Sequence, residues 1–334
     1  MDNRYAILFE PVQIGPVTAP NRFYQVPHCN GMGHGFPEGV AAMRGVKAEG
    51  GWGVVCTEET EIHYTSDLYP SLEGRLWDDR DIAAMAKMVE AVHAHGALAG
   101  VELVHNGSHA RNHYTRTAGL CVDSLSVPEY FPAQTRRADK EDLRNIRRWH
   151  RQAALRAKQA GFDIIYCYAG HMLSLPMFLM VKRLNQRTDE YGGSLENRVR
   201  FLRELLEDTK EAVGDTCGVA LRMAVDELRG PDGLTHDGEG REIVEMLAEL
   251  PDLWDVNVSD WSNDSGPSRF MKEGYQEQYT SFVKTITSKP VVGVGRYTSP
   301  ESMVSAIERG VLDLIGAARP SIADPFLPQK IKED

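Results

Sequence analysis

Residue types that move protons lie close together near the middle of this sequence. Tyr168 and His171 are three positions apart, in a stretch that also contains Gly170. A tyrosine alone is a weak base, with a pKa of about 10. An imidazole beside it, oriented by a carboxylate such as Asp264, can share its proton. The spacing therefore indicates a proton relay; the alternative is a structural histidine packed beside a tyrosine.

Cys29 is the cysteine most suited to chemistry, because it directly follows His28. A neighbouring imidazole or other cation favours the thiolate, which is the reactive form. The five cysteines are widely spaced and contain no Cys-x-x-Cys pair. We therefore predict no metal or iron–sulfur site and no disulfide framework. A buried structural residue is the expectation for the other four cysteines, and without more context it is the alternative for Cys29 too.

Two carboxylates and an indole are candidates for recognising a cation. Glu59 and Glu102 carry negative charge that can bind a cation or ring N–H groups, and Trp261 can present a π-face. Solvated loop charge and ordinary aromatic packing are the alternative explanations.

Two glycine-containing turns near the end of the chain are each followed by an arginine. The first contains Gly293, Gly295 and Arg296, and the second contains Ala317 and Arg319. Backbone N–H groups that converge at such turns bind phosphate, and arginines add bidentate donors. Tight turns with surface arginines are the alternative.

Short apolar segments alternate along the chain with longer amphipathic segments. Near-continuous apolar runs are typical of parallel strands buried on both faces. Strands are predicted at 22–27, 53–57, 98–104, 163–168, 217–223, 254–258, 290–295 and 313–318. Helices are predicted at 81–96, 143–161, 194–214, 241–250 and 299–310. The pattern predicts a (β/α)8 TIM barrel, with a doubly wound sheet as the alternative, although no Gly-x-Gly-x-x-Gly follows the first strand.

The predicted barrel explains where the chemical residues fall. Functional residues of such barrels gather at the carboxyl ends of the strands and in the loops that follow. The candidates named above occupy those positions, and Arg222 joins them from the fifth strand. The segment after the eighth strand has room for one short helix at most, so we expect a barrel cut short near its eighth helix.

Composition excludes several classes of protein. The 334 residues carry a net charge of −11, which disfavours binding to nucleic acid or to an anionic membrane surface. No apolar run approaches the roughly 20 residues that span a bilayer, and the N-terminal segment does not resemble an export signal. We expect a cytoplasmic protein whose residues 1–334 form one domain.

The segment NQRTDEYGGSLENR at 185–198 resembles the signature of the old yellow enzyme superfamily of FMN-dependent barrels. The segments KAEGGWG, DSGPSRF, GVGRYTSPE and ARPSIADPFLPQK narrow the resemblance to its amine-dehydrogenase branch, typified by trimethylamine dehydrogenase. The resemblance covers essentially the whole chain.

The resemblance implies a role for each candidate residue. Pro27, His28, Glu102 and Arg222 would line the FMN ring, while Gly295, Arg296 and Arg319 would hold its phosphate. Cys29 matches the cysteine that forms a thioether to the flavin in this branch, which leaves open whether the FMN is covalent here. Tyr168, His171 and Asp264 match a Tyr–His–Asp triad, and Trp261 matches one wall of an aromatic bowl for alkylammonium substrates.

Three departures from the branch bear on function. Glu59 stands where trimethylamine dehydrogenase has a tyrosine, which indicates a different amine. Leu173 stands where typical ene reductases have their proton-donating tyrosine, which argues against efficient ene reduction. The branch also continues into a [4Fe–4S] domain and nucleotide-binding domains, and we expect neither in this chain.

These observations lead to one expected function and two alternatives. We expect an FMN-dependent oxidation of a small secondary or tertiary amine to an iminium, with hydride transfer to flavin N5. The electron acceptor would resemble the electron-transfer flavoprotein of the full-length family, and a homodimer is left open. The alternatives are an NAD(P)H-dependent ene or dienoyl reductase, and an isolated barrel scaffold with weak activity.

Overall fold

The apolar segments form a closed barrel in the computed structural model, which describes residues 3–68, 73–110, 112, 114–126, 134–261, 263 and 270–333. In chain order the described strands are β1 (Val12–Ile14), β2 (Val17–Ala19), β3 (Phe23–Gln25), β4 (Val54–Glu61), β5 (Gly74–Arg75), β6 (Leu98–Val104), β7 (Leu120–Cys121), β8 (Arg136–Arg137), β9 (Ile164–Ala169), β10 (Gly218–Asp226), β11 (Leu253–Val258), β12 (Val291–Gly293) and β13 (Leu314–Ala317). Strands β3, β4, β6, β9, β10, β11, β12 and β13 pair in that order, all parallel, and β13 pairs back with β3.

This closed parallel arrangement confirms the predicted (β/α)8 barrel. The third predicted strand, at 98–104, is β6 and has the predicted bounds, and most of the other predicted strands differ from the observed ones by a few residues. The second strand is longer than predicted, because Glu58 to Glu61 continue β4 as buried residues. Polar residues of that kind interrupt the apolar pattern by which a buried strand is recognised in a sequence.

Side chains from alternate strand positions fill the barrel interior. The interior cluster contains Tyr24, Cys56 and Tyr166, and Tyr166 Oη donates a hydrogen bond to Tyr24 Oη at 2.5 Å. The antiparallel hairpin of β1 and β2 adds Ile14 and Ala19 to the same cluster. Among the described residues, the barrel interior is therefore a packed core.

Amphipathic helices surround the barrel. In the described part of the chain they are α1 (Pro37–Glu49), α2 (Ile82–His93), α3 (Lys140–Ala160), α4 (Leu175–Met180), α5 (Leu195–Val213), α6 (Glu239–Leu247), α7 (Glu277–Thr280), α8 (Val283–Ile286), α9 (Pro300–Glu308), α10 (Arg319–Ala323) and α11 (Leu327–Glu333). Two short helices, α10 and α11, follow the last strand, so the expectation of one at most was wrong. Among the described helices, none is both long enough and apolar enough to cross a bilayer.

The signature segment builds a rigid connection between α4 and α5. Asn185 Nδ2 donates to the carbonyls of Leu179 at 2.6 Å and Tyr191 at 2.7 Å. A Cβ on Gly192 would lie 2.1 Å from the carbonyl oxygen of Arg187, so the turn requires glycine. The motif that carries the family resemblance thus stabilises the scaffold.

Candidate active site

A cavity of about 440 Å³ opens at the carboxyl ends of the barrel strands. It is the place where a (β/α)8 barrel carries its functional residues. Its lining includes ten of the residues predicted from the sequence, namely Pro27, His28, Cys29, Glu59, Glu102, Tyr168, His171, Arg222, Trp261 and Arg319. The structure therefore brings together residues that the sequence separates by almost 300 positions.

A second cavity, of about 270 Å³, adjoins the first at the ends of β12 and β13. Gly295, Arg296, Ala317 and Arg319 line it, as the turn pattern predicts, and Arg319 belongs to both cavities. Gly293 is not among the residues that line either cavity, because it lies within β12, and a Cβ there would meet Leu312 at 2.8 Å.

Tyr168 and His171 form a hydrogen-bonded pair at the cavity wall. Tyr168 Oη lies 2.7 Å from His171 Nδ1. His171 has a φ of 53°, and its carbonyl accepts from the Trp261 backbone N–H at 3.1 Å, so the turn holds the ring in place. Burial, with help from nearby carboxylates including Glu59, raises the pKa of Tyr168 well above its ordinary value. The phenol is therefore a donor to His171, and the predicted third member, Asp264, lies outside the described residues.

Asn257 is a neighbour of this pair that sequence reasoning missed. Its Nδ2 lies 3.1 Å from His171 Nε2, and the residue is fully buried on β11. When Tyr168 donates to Nδ1, Nε2 carries the ring proton, and an amide turned to present its oxygen would accept it. A signal existed in the sequence, because Asp255 and Asn257 are polar residues at alternate positions of an otherwise apolar strand.

A buried ion group lies at the base of the main cavity. Arg222 Nη1 donates to Glu102 Oε2 at 3.1 Å and to the Pro27 carbonyl at 3.0 Å. Arg222 Nε lies 3.6 Å from Asp255 Oδ2 on the next strand. Burial raises the pKa of Glu102 to about 8, although Arg222 acts in the opposite direction. Desolvation therefore outweighs the ion pair at Glu102.

His28 is held as a neutral imidazole by two basic side chains. Arg44 Nη1 lies 2.8 Å and Lys47 Nζ 2.7 Å from His28 Nε2. A guanidinium cannot accept a hydrogen bond, so Nε2 is the acceptor and Nδ1 carries the proton. Nδ1 then donates to the Cys29 carbonyl at 2.9 Å. Burial, followed by the positive charge of Arg44, lowers the pKa of His28 well below its ordinary value.

Cys29 is exposed at the cavity surface, while the other four cysteines are buried. We expected its neighbours to favour a thiolate, and this was wrong. Desolvation inside the cavity, followed by the carboxylates of Glu59 and Glu58, raises the pKa of the Cys29 thiol. Arg44 acts in the opposite direction, but its guanidinium is directed at the His28 imidazole and does not outweigh the carboxylates.

Glu59 is part of the cavity wall, and is not a solvated loop charge. It is 8% exposed and lies opposite Glu102 in the register of β4 and β6. Behind it, Glu73 is fully buried and hydrogen-bonded to it, and burial with the neighbouring carboxylates raises the pKa of Glu73. A protonated Glu73 can donate a hydrogen bond to Glu59. Trp261 is half exposed at the rim of the cavity.

Comparison with known proteins places this chain in a family. The model of the NADH:flavin oxidoreductase / NADH oxidase family matches residues 7–334. Dimethylamine dehydrogenase of Hyphomicrobium sp. (strain x) is 44% identical over 342 aligned positions, which are 99% of this chain and 46% of that protein.

Two solved structures superpose closely on the fold. The 6-hydroxypseudooxynicotine amine oxidase of Pseudomonas geniculata N1 is 59% identical with a TM-score of 0.96, over 99% of this chain and 50% of that one. The histamine dehydrogenase of Rhizobium sp. 4-9 is 53% identical with a TM-score of 0.95, over 99% of this chain and 48% of that one. The chain thus spans about half the length of these relatives. The family resemblance drawn from the sequence is confirmed, and the chain belongs to the NADH:flavin oxidoreductase / NADH oxidase family.

Proposed function

We propose that the chain binds FMN and oxidises a small secondary or tertiary amine. The observation that carries the proposal is one continuous site in which an arginine-lined cavity adjoins a cavity containing a carboxylate, an indole and a Tyr–His pair. The relatives described above are an amine oxidase and two amine dehydrogenases, which supports the same reaction class.

The residues present fit FMN. Gly316 lies within β13 and lines the second cavity, and a Cβ there would lie 2.8 Å from the Gly293 carbonyl oxygen and 3.0 Å from two valine methyl groups, so glycine keeps this edge of the cavity free of a side chain. Arg296 and Arg319 line the cavity there and would hold the phosphate. Arg222 lines both cavities, so it would lie beside the ring system. When bound, FMN would accept a hydride from the amine α-carbon, leaving an iminium that water hydrolyses to an aldehyde and a smaller amine.

Glu59 and Trp261 would bind the amine as its ammonium form. The Glu59 carboxylate supplies the opposite charge inside a largely buried cavity, where electrostatic attraction is stronger than in water. The exposed face of Trp261 supplies a cation–π contact at the rim. Together they would orient the substrate over the base of the cavity.

Tyr168 and His171 would remove the ammonium proton, because a nitrogen must be unprotonated before its α-carbon can lose a hydride. The raised pKa of Tyr168 disfavours a free phenolate. The 2.7 Å hydrogen bond allows Tyr168 to pass its own proton to His171 Nδ1 as it accepts one from the amine. The pair therefore acts as a relay in which no phenolate accumulates.

We also propose a covalent bond between Cys29 and the flavin, a class of electron acceptor, and a cellular location for the reaction. Cys29 lies at the cavity surface beside the residues that would contact the flavin ring, so it is the residue positioned for a thioether to the flavin. Formation of that bond would release one proton from the thiol and one from the flavin ring carbon, and the two electrons would pass to the acceptor that reoxidises the flavin. A denatured mass that exceeds the chain by one FMN supports attachment, and release of free flavin on denaturation contradicts it.

Reoxidation of the flavin requires an acceptor such as an electron-transfer flavoprotein, and we place the reaction in the cytoplasm.

Anaerobic mixing of the flavin-loaded protein with amines tests the proposal. We expect dimethylamine or a related secondary amine to bleach the flavin absorbance. Glu59→Gln should need roughly 10 to 100 times more amine, since a hydrogen bond to a charged group contributes about 1.5–3 kcal/mol. Glu90→Gln, on the exposed face of α2, is the matched control and should behave as wild type. Bleaching by NADPH with turnover of an activated enone, and none by any amine, would establish the ene-reductase alternative instead.

A further inference from the structure

A separate chamber of about 290 Å³ opens beside the proposed amine site. We call it the tail chamber, and its characteristic residues are Leu125, Met172, Phe178 and Leu184. It meets the main cavity at four shared residues, which are His109, His171, Leu173 and Trp261. Two of these, His171 and Trp261, are the residues proposed above to flank the reacting amine. A molecule held there by its nitrogen can therefore extend into the tail chamber.

The wall of the tail chamber is mainly apolar, and neighbouring side chains pack against it. Phe178 lies on α4, is 4% exposed, and stacks on His109 with ring centroids 5.8 Å apart. Leu173 lies at the junction of the tail chamber and the main cavity. Apolar walls of this kind bind aliphatic or aromatic groups through burial of their surface.

Each of the two arginines that line the tail chamber is paired with a carboxylate. Arg183 makes a bidentate ion pair with Glu227, at 2.7 and 2.9 Å. Arg229 lies 3.5 Å from Asp260. Because each arginine faces a carboxylate, the wall favours a neutral group over a second charge.

We propose that the tail chamber binds an uncharged apolar or aromatic group carried by the amine substrate. The substrate class is then an amine with a tail, and not a methylamine alone. This inference rests on the function proposed above, because the nitrogen of the tailed amine must lie between His171 and Trp261.

The volume of the chamber sets the size of the tail. A cavity of roughly 150 Å³ is enough to hold benzene. The tail chamber, at about 290 Å³, therefore has room for one aromatic ring and a short linker. Burial of one methylene improves binding roughly fourfold, so selectivity should rise in steps of about that size until the chamber is filled.

A series of N-methylamines on the wild-type protein provides the first test. Anaerobic flavin bleaching would be followed with dimethylamine, N-methylpropylamine, N-methylbutylamine and N-methyl-2-phenylethylamine. We expect the second-order rate constant to rise with tail length, and to be at least tenfold higher for the phenylethyl compound than for dimethylamine. A flat or falling series, with dimethylamine bleaching normally, overturns this inference alone. Absence of bleaching by every amine overturns the proposed function and this inference with it.

A substitution that fills the chamber provides the second test. Leu184→Phe should lower the preference for the phenylethyl amine over dimethylamine at least tenfold, and Leu125→Phe is an independent variant of the same wall. Leu155→Phe makes the same change on the exposed face of α3 and should keep the wild-type preference. Flavin content reports folding of each variant. An unchanged preference in both folded chamber variants contradicts the proposal.

Discussion

Replacement of Glu102 by glutamine tests whether the desolvation of the Glu102 carboxylate outweighs its ion pair with Arg222. Glu102 is 1% exposed and lies 3.1 Å from Arg222 Nη1. Its pKa is raised to about 8, whereas a glutamate in an unfolded chain has a pKa of about 4.3. Between these values the unfolded chain is ionised while the folded carboxyl keeps its proton. A group of this kind stabilises the fold fully at low pH and loses that contribution as pH rises through the folded pKa.

The expected size follows from linkage. Between the unfolded and folded pKa values of Glu102, each rise of one pH unit lowers the free energy of unfolding of the wild type by about 1.4 kcal/mol relative to a variant that cannot titrate at this position. Between about pH 5 and pH 8, the free energy of unfolding of the wild type should fall by roughly 4 kcal/mol relative to Glu102→Gln. Above pH 8 the difference should be constant.

Denaturant unfolding at a series of pH values measures this difference directly. Glu90→Gln, on the exposed face of α2, is the control and should follow the wild type within about 0.5 kcal/mol. A pH-independent difference for Glu102→Gln would refute the reasoning. A wild type that gains on the variant as pH rises would show that the bond to Arg222 outweighs desolvation.

Three further substitutions test other parts of the structure. Tyr168→Phe removes the donor to the neighbouring imidazole and should slow flavin reduction by an amine roughly 100-fold in stopped-flow measurements, whereas an unchanged rate would exclude the relay. Lys47 is 1% exposed, and its pKa is lowered to about 6. Above pH 6 the lysine is therefore protonated in the unfolded chain but not in the folded one, so the free energy of unfolding of the wild type rises with pH. Lys47→Met should therefore be more stable than wild type at pH 7 by denaturant unfolding, with the advantage shrinking toward pH 10; a constant difference would contradict this. A Cβ on Gly50 would lie 1.9 Å from the Pro325 carbonyl oxygen. Gly50→Ala should therefore lower the thermal midpoint by an amount equivalent to about 1–3 kcal/mol of unfolding free energy. In the control Gly35→Ala the added atom meets nothing within 4 Å, and the thermal midpoint should fall less.

The barrel and the lining of the main cavity were predictable because two simple rules apply to this chain. Buried parallel strands appear as apolar runs, and a barrel places its functional residues after those runs. Tyr168, Arg222 and Arg319 could be assigned to one cavity on that basis. Their grouping required only the order of the strands.

The residues that support the site were harder to predict. Arg44 and Lys47 reach His28 from α1, a helix whose two internal glycines and weak amphipathic pattern hide it in the sequence. Asp255 and Asn257 are polar side chains within a strand, where an apolar residue is expected. Their contacts depend on how the strands tilt around the barrel, which residue types alone do not specify.

The tail chamber could not be predicted for a related reason. Its walls come from separate parts of the chain, namely a loop after β7, the turn after β9 with the adjoining α4, and the segments after β10 and β11. No repeated spacing connects these segments. The chamber depends on loop conformation, including the φ of 58° at Met172.

The most direct test of the proposed chemistry is a single-turnover measurement of aldehyde. The flavin-loaded protein would be mixed anaerobically with one equivalent of a secondary N-methylamine, and formaldehyde would be quantified alongside the loss of flavin absorbance. We predict one aldehyde for each flavin bleached. A flavin that remains oxidised in excess amine, or that bleaches without releasing aldehyde, would contradict the assignment of amine oxidation to this site.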